Sequence, residues 1–259
     1  MESLNLLLFQ WINGLAGRMP ILDSLLSLIL ANDLLKSALL GACFCCVWNR
    51  AGSADELQST RKKLLIALIA ALMTLAGTTV ISHLVVHPRP YLLAHRAYRL
   101  VENELQEFPR LDYRQPLDNR SQARLRAMEQ GEIPSNDLAS FPSDHAGFFV
   151  CLAAGIGLAA WRVGAIALTW TVAAIVFGKV MLAMHSPLEV GTGMLMAVFS
   201  LLFCYAFARD LFATTLARVV NWTTRYPAVA AAVLFVALFE VCSTMEHTKE
   251  LLAAIGRRI

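Results

Sequence analysis

Residues 64–86 read LLIALIAALMTLAGTTVISHLVV, a run of 23 residues without Asp, Glu, Lys or Arg. About 20 apolar residues in an α-helix are enough to cross the hydrocarbon core of a bilayer. The run therefore predicts a transmembrane helix. It leads directly into a polar group, SHLVVHPRP over residues 82–90, which is the first of three polar clusters that interrupt the apolar pattern of the chain.

The composition of the whole chain agrees with a membrane protein. Of its 259 residues, 57% are hydrophobic and only 16% are charged, whereas about a quarter of the residues of a soluble domain are charged. The net charge of +3 is too small to suggest nucleic acid as a partner. All six cysteines lie in apolar segments, so we expect free thiols rather than disulfides or a zinc site.

Hydropathy along the chain predicts an all-α integral membrane protein with about six transmembrane helices. The predicted spans are residues 22–48, 64–86, 144–161, 163–184, 188–208 and 227–246. Asn32, Asp33 and Lys36 interrupt the first of them, so we expect a break there, with Asp33 and Lys36 paired on one helix face. We interpret residues 1–259 as a single membrane domain that carries a polar, partly helical outer loop or cap insert at residues 91–140.

Basic residues indicate which ends of the spans face the cytoplasm. They occur in the loop at residues 49–63, at Arg162 after the third span, and in the loop after the fifth span. Cytoplasmic loops carry an excess of Lys and Arg, so these three places are predicted to be cytoplasmic. The segment 87–143 and the turn 185–187 then face outward, together with both chain ends.

The insert at residues 91–140 is the one sizeable polar region of the sequence. It holds seven Arg and eight acidic residues between residues 96 and 137, and this near balance argues against a polybasic patch for anionic lipids. Within it, LDNRSQARLRAMEQGE (residues 117–132) has the composition of a helix, with Asp118 or Asn119 as its cap and Gly131 as its end. A loop of this length is usually a lid or a binding element, or is disordered.

Two further polar clusters lie at the ends of predicted spans. FPSDH, at residues 141–145, opens the third span, and GKVMLAMHSPLE, at residues 178–189, closes the fourth and leads into the fifth. A lysine within a span costs about 2.5–3.5 kcal/mol on insertion scales. Lys179 is therefore expected to face a polar interior rather than lipid.

All three clusters are expected to meet at one membrane face. The third and fourth spans form a helical hairpin that starts and returns at the outer face, which brings His145 and His185 to the same level. Arg89 ends the second span on that face as well. Together with Ser143 and Lys179, these residues form a candidate site at the outer interface.

Such a set of side chains suits phosphoryl transfer. Arg and Lys hold phosphate oxygens and neutralise charge in the transition state, and the start of a helix offers free N–H groups to the same oxygens. One neutral His can attack phosphorus and form a phosphohistidine, while a second can protonate the leaving oxygen. This chemistry needs no metal or other cofactor. His83 and His87 have the i, i+4 spacing of a metal pair, but no carboxylate motif accompanies them, so we predict no metal site.

Simpler structural roles compete with some of these assignments. Ser143 taken alone could be only the N-cap of its helix. Ser186 and Glu189 have the spacing of a capping box, with Pro187 at the first helical position. That capping role can coexist with a role of Glu189 in orienting His185.

The order and spacing of the three clusters resemble the signatures of the type 2 phosphatidic-acid phosphatase superfamily of membrane lipid phosphatases. That pattern runs Lys-x6-Arg-Pro, then Pro-Ser-Gly-His, then Ser-Arg-x5-His-x3-Asp. The corresponding residues here are Ser82-x6-Arg89-Pro90, Pro142-Ser143-Asp144-His145 and Gly178-Lys179-x5-His185-x3-Glu189. The forms FPSDH and HSPLE and the opening LNLLLFQWIN are most similar to the undecaprenyl-pyrophosphate phosphatase branch, from residue 1 to about 210 without the insert.

The resemblance implies a role for each matching residue. It makes His185 the nucleophile, His145 the general acid for the leaving phosphate, and Glu189 the group that orients and polarises His185. The residues that it places on the phosphate under attack are Arg89, Ser143, Lys179 and Asp144.

Three positions depart from the family pattern. Ser82 stands where the pattern has Lys, so one cation is missing; His83, His87 or an Arg of the insert could take its place, and the sequence does not choose among them. Lys179 replaces Arg and gives up bidentate geometry while keeping the charge. Glu189 replaces Asp and is one methylene longer.

The expected function is that of a metal-independent lipid phosphatase at the outer face of the bacterial inner membrane. Its expected substrate is undecaprenyl pyrophosphate, hydrolysed to the monophosphate, and its expected partners are this lipid and the membrane. One alternative is a lipid phosphotransferase or a phosphatase of another lipid phosphate, such as phosphatidic acid, phosphatidylglycerol phosphate or lipid A. The other is a non-catalytic lipid binder or transporter, which the loss of the motif Lys at Ser82 would favour.

Overall fold

The structure is a computed structural model that describes residues 2–94, 98–101, 104–108, 110–132, 137–208 and 213–242. The regular secondary structure of the described chain is helical apart from one short antiparallel hairpin, formed by β1 (Tyr98–Val101) and β2 (Glu104–Glu107). Its helices are α1 (Glu2–Asn13), α2 (Pro20–Ala31), α3 (Asp33–Trp48), α4 (Ala54–Leu84), α5 (Pro90–Leu93), α6 (Asn119–Glu129), α7 (Asp144–Ala159), α8 (Trp161–Met181), α9 (Pro187–Phe203), α10 (Ala213–Arg225) and α11 (Pro227–Cys242). A π-helical stretch, Thr171–Val176, lies inside α8, and another, Cys204–Ala208, extends α9.

Between three and five membrane spans are supported by the length and hydropathy of the described helices. The three continuous candidates are α4, α8 and α9 with its extension. The bent pairs α2–α3 and α10–α11 bring the number to five if each pair is one span. The predicted count of six is not confirmed, because α7 is apolar but has only 16 residues. Residues 243–246 of the last predicted span lie outside the described residues.

The predicted break in the first span is confirmed. α2 and α3 meet at Asn32 with a bend of 73°, and the Asn32 side chain caps α3 by accepting the N–H of Leu35 (3.1 Å). Lys36 Nζ lies 2.6 Å from Asp33 Oδ1, which confirms their pairing. The polar residues in this span therefore make a helix break with satisfied partners.

The centre of the bundle is α7, which packs against α4, α8 and α9. Small residues allow the close approach: Gly155 of α7 lies against Ala67 of α4, and Gly147 of α7 lies against the backbone of Gly193 in α9. Packing through small residues is typical of helices that associate in membranes. The contact at Gly147 lies one turn from the start of α7, so it fixes that start against the second turn of α9.

Replacing Gly193 by Ala is expected to lower the free energy of unfolding by about 1–3 kcal/mol, because the added methyl group would overlap the carbonyl oxygen of Ser143. Gly191 lies two residues earlier on the same helix, where an added Cβ meets nothing within 4 Å, so Gly191→Ala is the matched control. Thermal unfolding of both purified variants in detergent measures the difference. Equal midpoints would contradict the close packing of α7 on α9.

Polar contacts hold the insert against α1 and α2. The Asn13 side chain donates to the carbonyl oxygen of Arg114 (3.0 Å) and accepts its N–H (2.6 Å). Ser27 donates to Asp118 (2.6 Å), and the same Asp118 oxygen caps α6 by accepting two backbone N–H groups of its first turn. Gly131 follows α6 with a φ of 82°. The predicted helix, with Asp118 as its cap and Gly131 at its end, is confirmed, whereas the β1–β2 hairpin was outside the prediction.

The described cysteines form no disulfide bonds with one another. The five whose side chains the structure describes are free, namely Cys43, Cys45, Cys46, Cys151 and Cys204. The prediction of unpaired thiols is confirmed for these five.

Candidate active site

Three segments carrying the polar clusters meet at one end of the helix bundle. The N–H of Ser143, at the start of α7, donates to the carbonyl oxygen of Glu189 in α9 (3.0 Å). The N–H of Tyr91, in the short helix α5 after Arg89, donates to the carbonyl oxygen of Ala183 between α8 and α9 (3.1 Å). These bonds hold the segment after α4, the start of α7 and the α8–α9 turn at one level.

A tight turn after α8 brings His185 back toward Lys179. α8 ends at Met181, and Ala183 adopts a left-handed φ of 55°. The N–H of Met184 donates to the carbonyl oxygen of Lys179 (2.9 Å), which is the closing bond of a Schellman motif. The predicted continuous helix over the fourth span is therefore wrong at its end, and the turn places Lys179 Nζ 3.4 Å from His185 Nε2.

His185 is held by Glu189 inside the protein. Nδ1 of His185 lies 2.7 Å from Oε2 of Glu189, and both side chains are buried. Burial and the nearby Lys179 ammonium lower the pKa of His185 to about 4, so its imidazole is neutral near pH 7. A neutral ring that donates its Nδ1–H to a carboxylate carries its lone pair on Nε2, the nitrogen that faces Lys179.

Capping explains Ser186 but not Ser143. The Ser186 hydroxyl accepts the N–H of Glu189 (3.3 Å) at the start of α9. Ser143 is the N-cap residue of α7, but its side chain makes no cap bond. It is fully buried, and its Oγ has no hydrogen-bond partner among the described residues. Buried hydroxyl groups are nearly always hydrogen-bonded, so the alternative that Ser143 is only a side-chain cap is wrong, and its Oγ is a candidate ligand for a bound group.

His145 has a carboxylate partner of its own. Oδ1 of Asp144 lies 2.7 Å from Nδ1 of His145 and accepts the His145 backbone N–H (2.6 Å). The His145 ring also stacks on Phe149, with 6.4 Å between ring centroids. The resemblance places Asp144 on the phosphate, whereas its carboxylate contacts the imidazole. Both histidines of the site thus have a carboxylate at Nδ1.

Arg89 is tied to the end of the insert. Its Nε lies 3.1 Å from Oδ1 of the buried Asp137, and its backbone N–H donates to the Asp137 carbonyl oxygen (2.9 Å). Sequence reasoning missed Asp137 because this residue belongs to no motif of the resemblance. The only available signal was an acid placed shortly before FPSDH, at the end of a polar segment.

The candidates for the missing motif lysine lie in different places. The Ser82 hydroxyl donates to the carbonyl oxygen of Thr79 (2.8 Å), and Nδ1 of the exposed His83 lies 2.8 Å from the same oxygen. Both side chains are therefore engaged by the backbone of α4. His87 differs, because its Nε2 lies 3.3 Å from Oε1 of Glu189.

The composition of the site decides what it can do chemically. Within the described ranges, no group of three or more His, Cys, Asp or Glu side chains has an arrangement suited to a metal ion. The site offers two histidines, His145 and His185, whose Nδ1 faces a carboxylate, together with an arginine, a buried lysine and a buried hydroxyl. Groups of this kind can bind phosphate, supply a nucleophile and transfer a proton.

Comparison with known proteins agrees with this chemistry. Residues 63–213, more than half of the chain, match the family model described as the PAP2 superfamily. The matched region contains all three polar clusters and the insert between them. No curated protein and no solved structure matches the chain significantly. The chain belongs to the PAP2 superfamily.

Proposed function

We propose that the protein is a membrane lipid phosphatase that hydrolyses undecaprenyl pyrophosphate to undecaprenyl phosphate through a phosphohistidine intermediate. The PAP2 superfamily includes lipid phosphatases, and several helices are apolar enough to span a membrane. The observation that carries the proposal is the buried His185–Glu189 pair beside Lys179. It presents a neutral imidazole lone pair next to a cation that can hold a phosphate.

The proposed reaction has two steps. Arg89, Lys179 and Ser143 bind the phosphate under attack. Nε2 of His185 forms a bond to phosphorus while the bond to the leaving oxygen breaks, and the protonated ring of His145 gives that oxygen its Nε2 proton. Water then gives a proton to the deprotonated His145 while its oxygen bonds to phosphorus and the bond between phosphorus and Nε2 breaks, which releases phosphate and restores neutral His185 and protonated His145.

Each histidine uses its carboxylate differently in this proposal. Phosphorylation of His185 at Nε2 makes a positively charged ring, and Glu189, 2.7 Å from Nδ1, stabilises that charge. Asp144 keeps the His145 ring in one orientation through its contact with Nδ1. A carboxylate repels phosphate oxygens, so we assign Asp144 to His145 rather than to the phosphate.

The proposed membrane arrangement has six spans, with α7 counted as one and with α11 alone, without α10, as the last. Its 16 residues would extend about 24 Å, and its N-terminus lies at the site. The basic residues at 49–63, at Arg162 and in α10 then face the cytoplasm. The site faces the outer side of a bacterial inner membrane, and the insert forms an extracytoplasmic cap within the single domain.

Support for undecaprenyl pyrophosphate as substrate comes from the forms of the motifs. FPSDH and HSPLE lie inside the region matched by the family model, whereas LNLLLFQWIN lies before residue 63, outside it. Because the family match does not specify a substrate, the identity of the substrate is the first property to measure.

Purified protein in detergent with EDTA is expected to release phosphate faster from a polyprenyl pyrophosphate than from phosphatidic acid or phosphatidylglycerol phosphate, each at the same mole fraction. Colorimetric phosphate release measures the three rates. A preference for one of the other lipids would reject undecaprenyl pyrophosphate as the substrate but would still support phosphatase activity. Transfer of phosphate to a lipid acceptor would identify a phosphotransferase, and lipid binding without any release would identify a non-catalytic binder.

A further inference from the structure

The two carboxylate oxygens of Glu189 face different histidines. Oε2 lies 2.7 Å from Nδ1 of His185, and Oε1 lies 3.3 Å from Nε2 of His87. The Glu189 side chain is 1% exposed, and Oε1 makes no hydrogen bond within the described residues, although His87 Nε2 lies within ion-pair distance of it. Leaving a buried charged acceptor without a donor costs more than about 1–3 kcal/mol. His87 is therefore the group placed to satisfy this oxygen.

Three sets of contacts fix the position of His87. Its backbone N–H donates to the carbonyl oxygen of Leu138 (2.9 Å). Its own carbonyl oxygen accepts both the N–H (3.0 Å) and the hydroxyl (2.7 Å) of Ser140. Its ring meets the Phe141 ring edge-on, with 5.8 Å between centroids. The chain that leads from the insert into FPSDH thus holds the His87 ring against Glu189.

We propose that His87 is a positioning residue, which holds Glu189, and through it the His185 imidazole, in the orientation needed for attack on phosphorus. In this role the His87 ring, 3.3 Å from Oε1 of Glu189, supplies the Nε2–H donor that this oxygen otherwise lacks, so that Oε2 is directed at His185. The His87 side chain is 39% exposed, whereas that of Glu189 is 1% exposed, so His87 lies between the buried carboxylate and the protein surface. This inference rests on the proposed phosphatase function.

A purely structural role makes a different prediction. The backbone bonds of His87 persist in any variant of this residue, and only the ring contacts are lost. If those contacts served stability alone, the folded enzyme would keep its kcat. A positioning role instead lowers kcat at nearly unchanged KM, because the proposed phosphate contacts of Arg89, Lys179 and Ser143 are not altered.

The kinetic test compares His87→Ala, His87→Gln and Val86→Ala on the lipid that the substrate panel favours. We expect His87→Ala to lower kcat roughly tenfold, the lower end of the losses found when a group that orients a metal-ligating histidine is removed, with KM changed by less than about twofold. His87→Gln should recover part of the kcat, because its amide can donate to Oε1. The neighbouring exposed Val86 controls for disturbance of the segment, and Val86→Ala should leave kcat unchanged. A wild-type kcat in His87→Ala, or a loss confined to KM, would overturn the proposal.

A double-mutant cycle on thermal stability tests the same contact without turnover. His87→Ala, Glu189→Gln and the double variant are unfolded in detergent. If the double variant lowers the midpoint by less than the sum of the two single variants, the contact is supported. If its effect equals that sum, the contact is rejected. If the wild type is active and the cycle is additive, only the positioning role of His87 is rejected, and the phosphatase proposal stands. A wild type that releases no phosphate from any lipid would reject the phosphatase, and with it the positioning role, whatever the cycle shows.

Discussion

Replacement of His185 by Asn is expected to abolish phosphate release, with kcat lowered at least roughly 10³-fold. The neutral Nε2 of this ring is the group proposed to bond to phosphorus, and an amide offers no comparable lone pair. Asn is smaller than His and can still donate a hydrogen bond toward Glu189, so the variant should keep its fold. Phosphate release at saturating lipid, together with thermal unfolding in detergent, measures both properties.

The intermediate gives a second readout for His185. Alkaline quenching of the wild type during turnover of radiolabelled lipid should leave acid-labile phosphate on the peptide that contains His185. Leu188 lies in the next turn and is 49% exposed, so Leu188→Ala is the control and should label like the wild type. A folded His185→Asn variant that labels, or that turns over at a rate near that of the wild type, would show that the nucleophile is another residue.

The elements of the site that could be predicted are those fixed by spacing and hydropathy. His145 and His185 stand at the two ends of an apolar helical hairpin, which must return to the face where it began, so their approach followed from the sequence. Arg89 lies shortly after the end of a 31-residue helix, the second predicted span, so its position at the same membrane face also followed from the sequence. The break at Asn32 was predictable because polar residues inside an apolar run are costly unless they find partners.

Contacts made where the chain turns between helices were not predictable from spacing. Ala183 takes a left-handed conformation that sequence patterns associate with Gly, so nothing marked the early end of α8 or the turn that brings Lys179 to His185. Asp137 lies in a polar segment without periodicity. Ser143 has the residue type and position of an N-cap, and only its buried, unpartnered hydroxyl distinguishes it from one.

Replacement of Glu189 by Gln is expected to lower kcat about 10²–10³-fold, the usual loss when one preorganised charge or dipole is removed from the centre where charge develops. Gln is nearly the same size, but its neutral amide cannot stabilise the positive ring that forms when His185 is phosphorylated. It can also present its NH₂ group to Nδ1, which would favour the wrong tautomer of His185. Glu189→Asp keeps the charge on a shorter side chain and should retain more activity than Glu189→Gln.

Ser186→Ala separates this electrostatic role of Glu189 from the capping of α9. The cap uses the Ser186 hydroxyl and the backbone N–H of Glu189, which Glu189→Gln leaves in place. Loss of the cap should cost about 1 kcal/mol of stability with kcat within a few-fold of the wild type, whereas Glu189→Gln should lose kcat in the folded protein. A similar loss of kcat in both variants would mean that Glu189 acts by holding the first turn of α9. A loss confined to Glu189→Gln places the effect at the carboxylate, because the two variants alter the same helix start and differ in whether His185 keeps its charged partner.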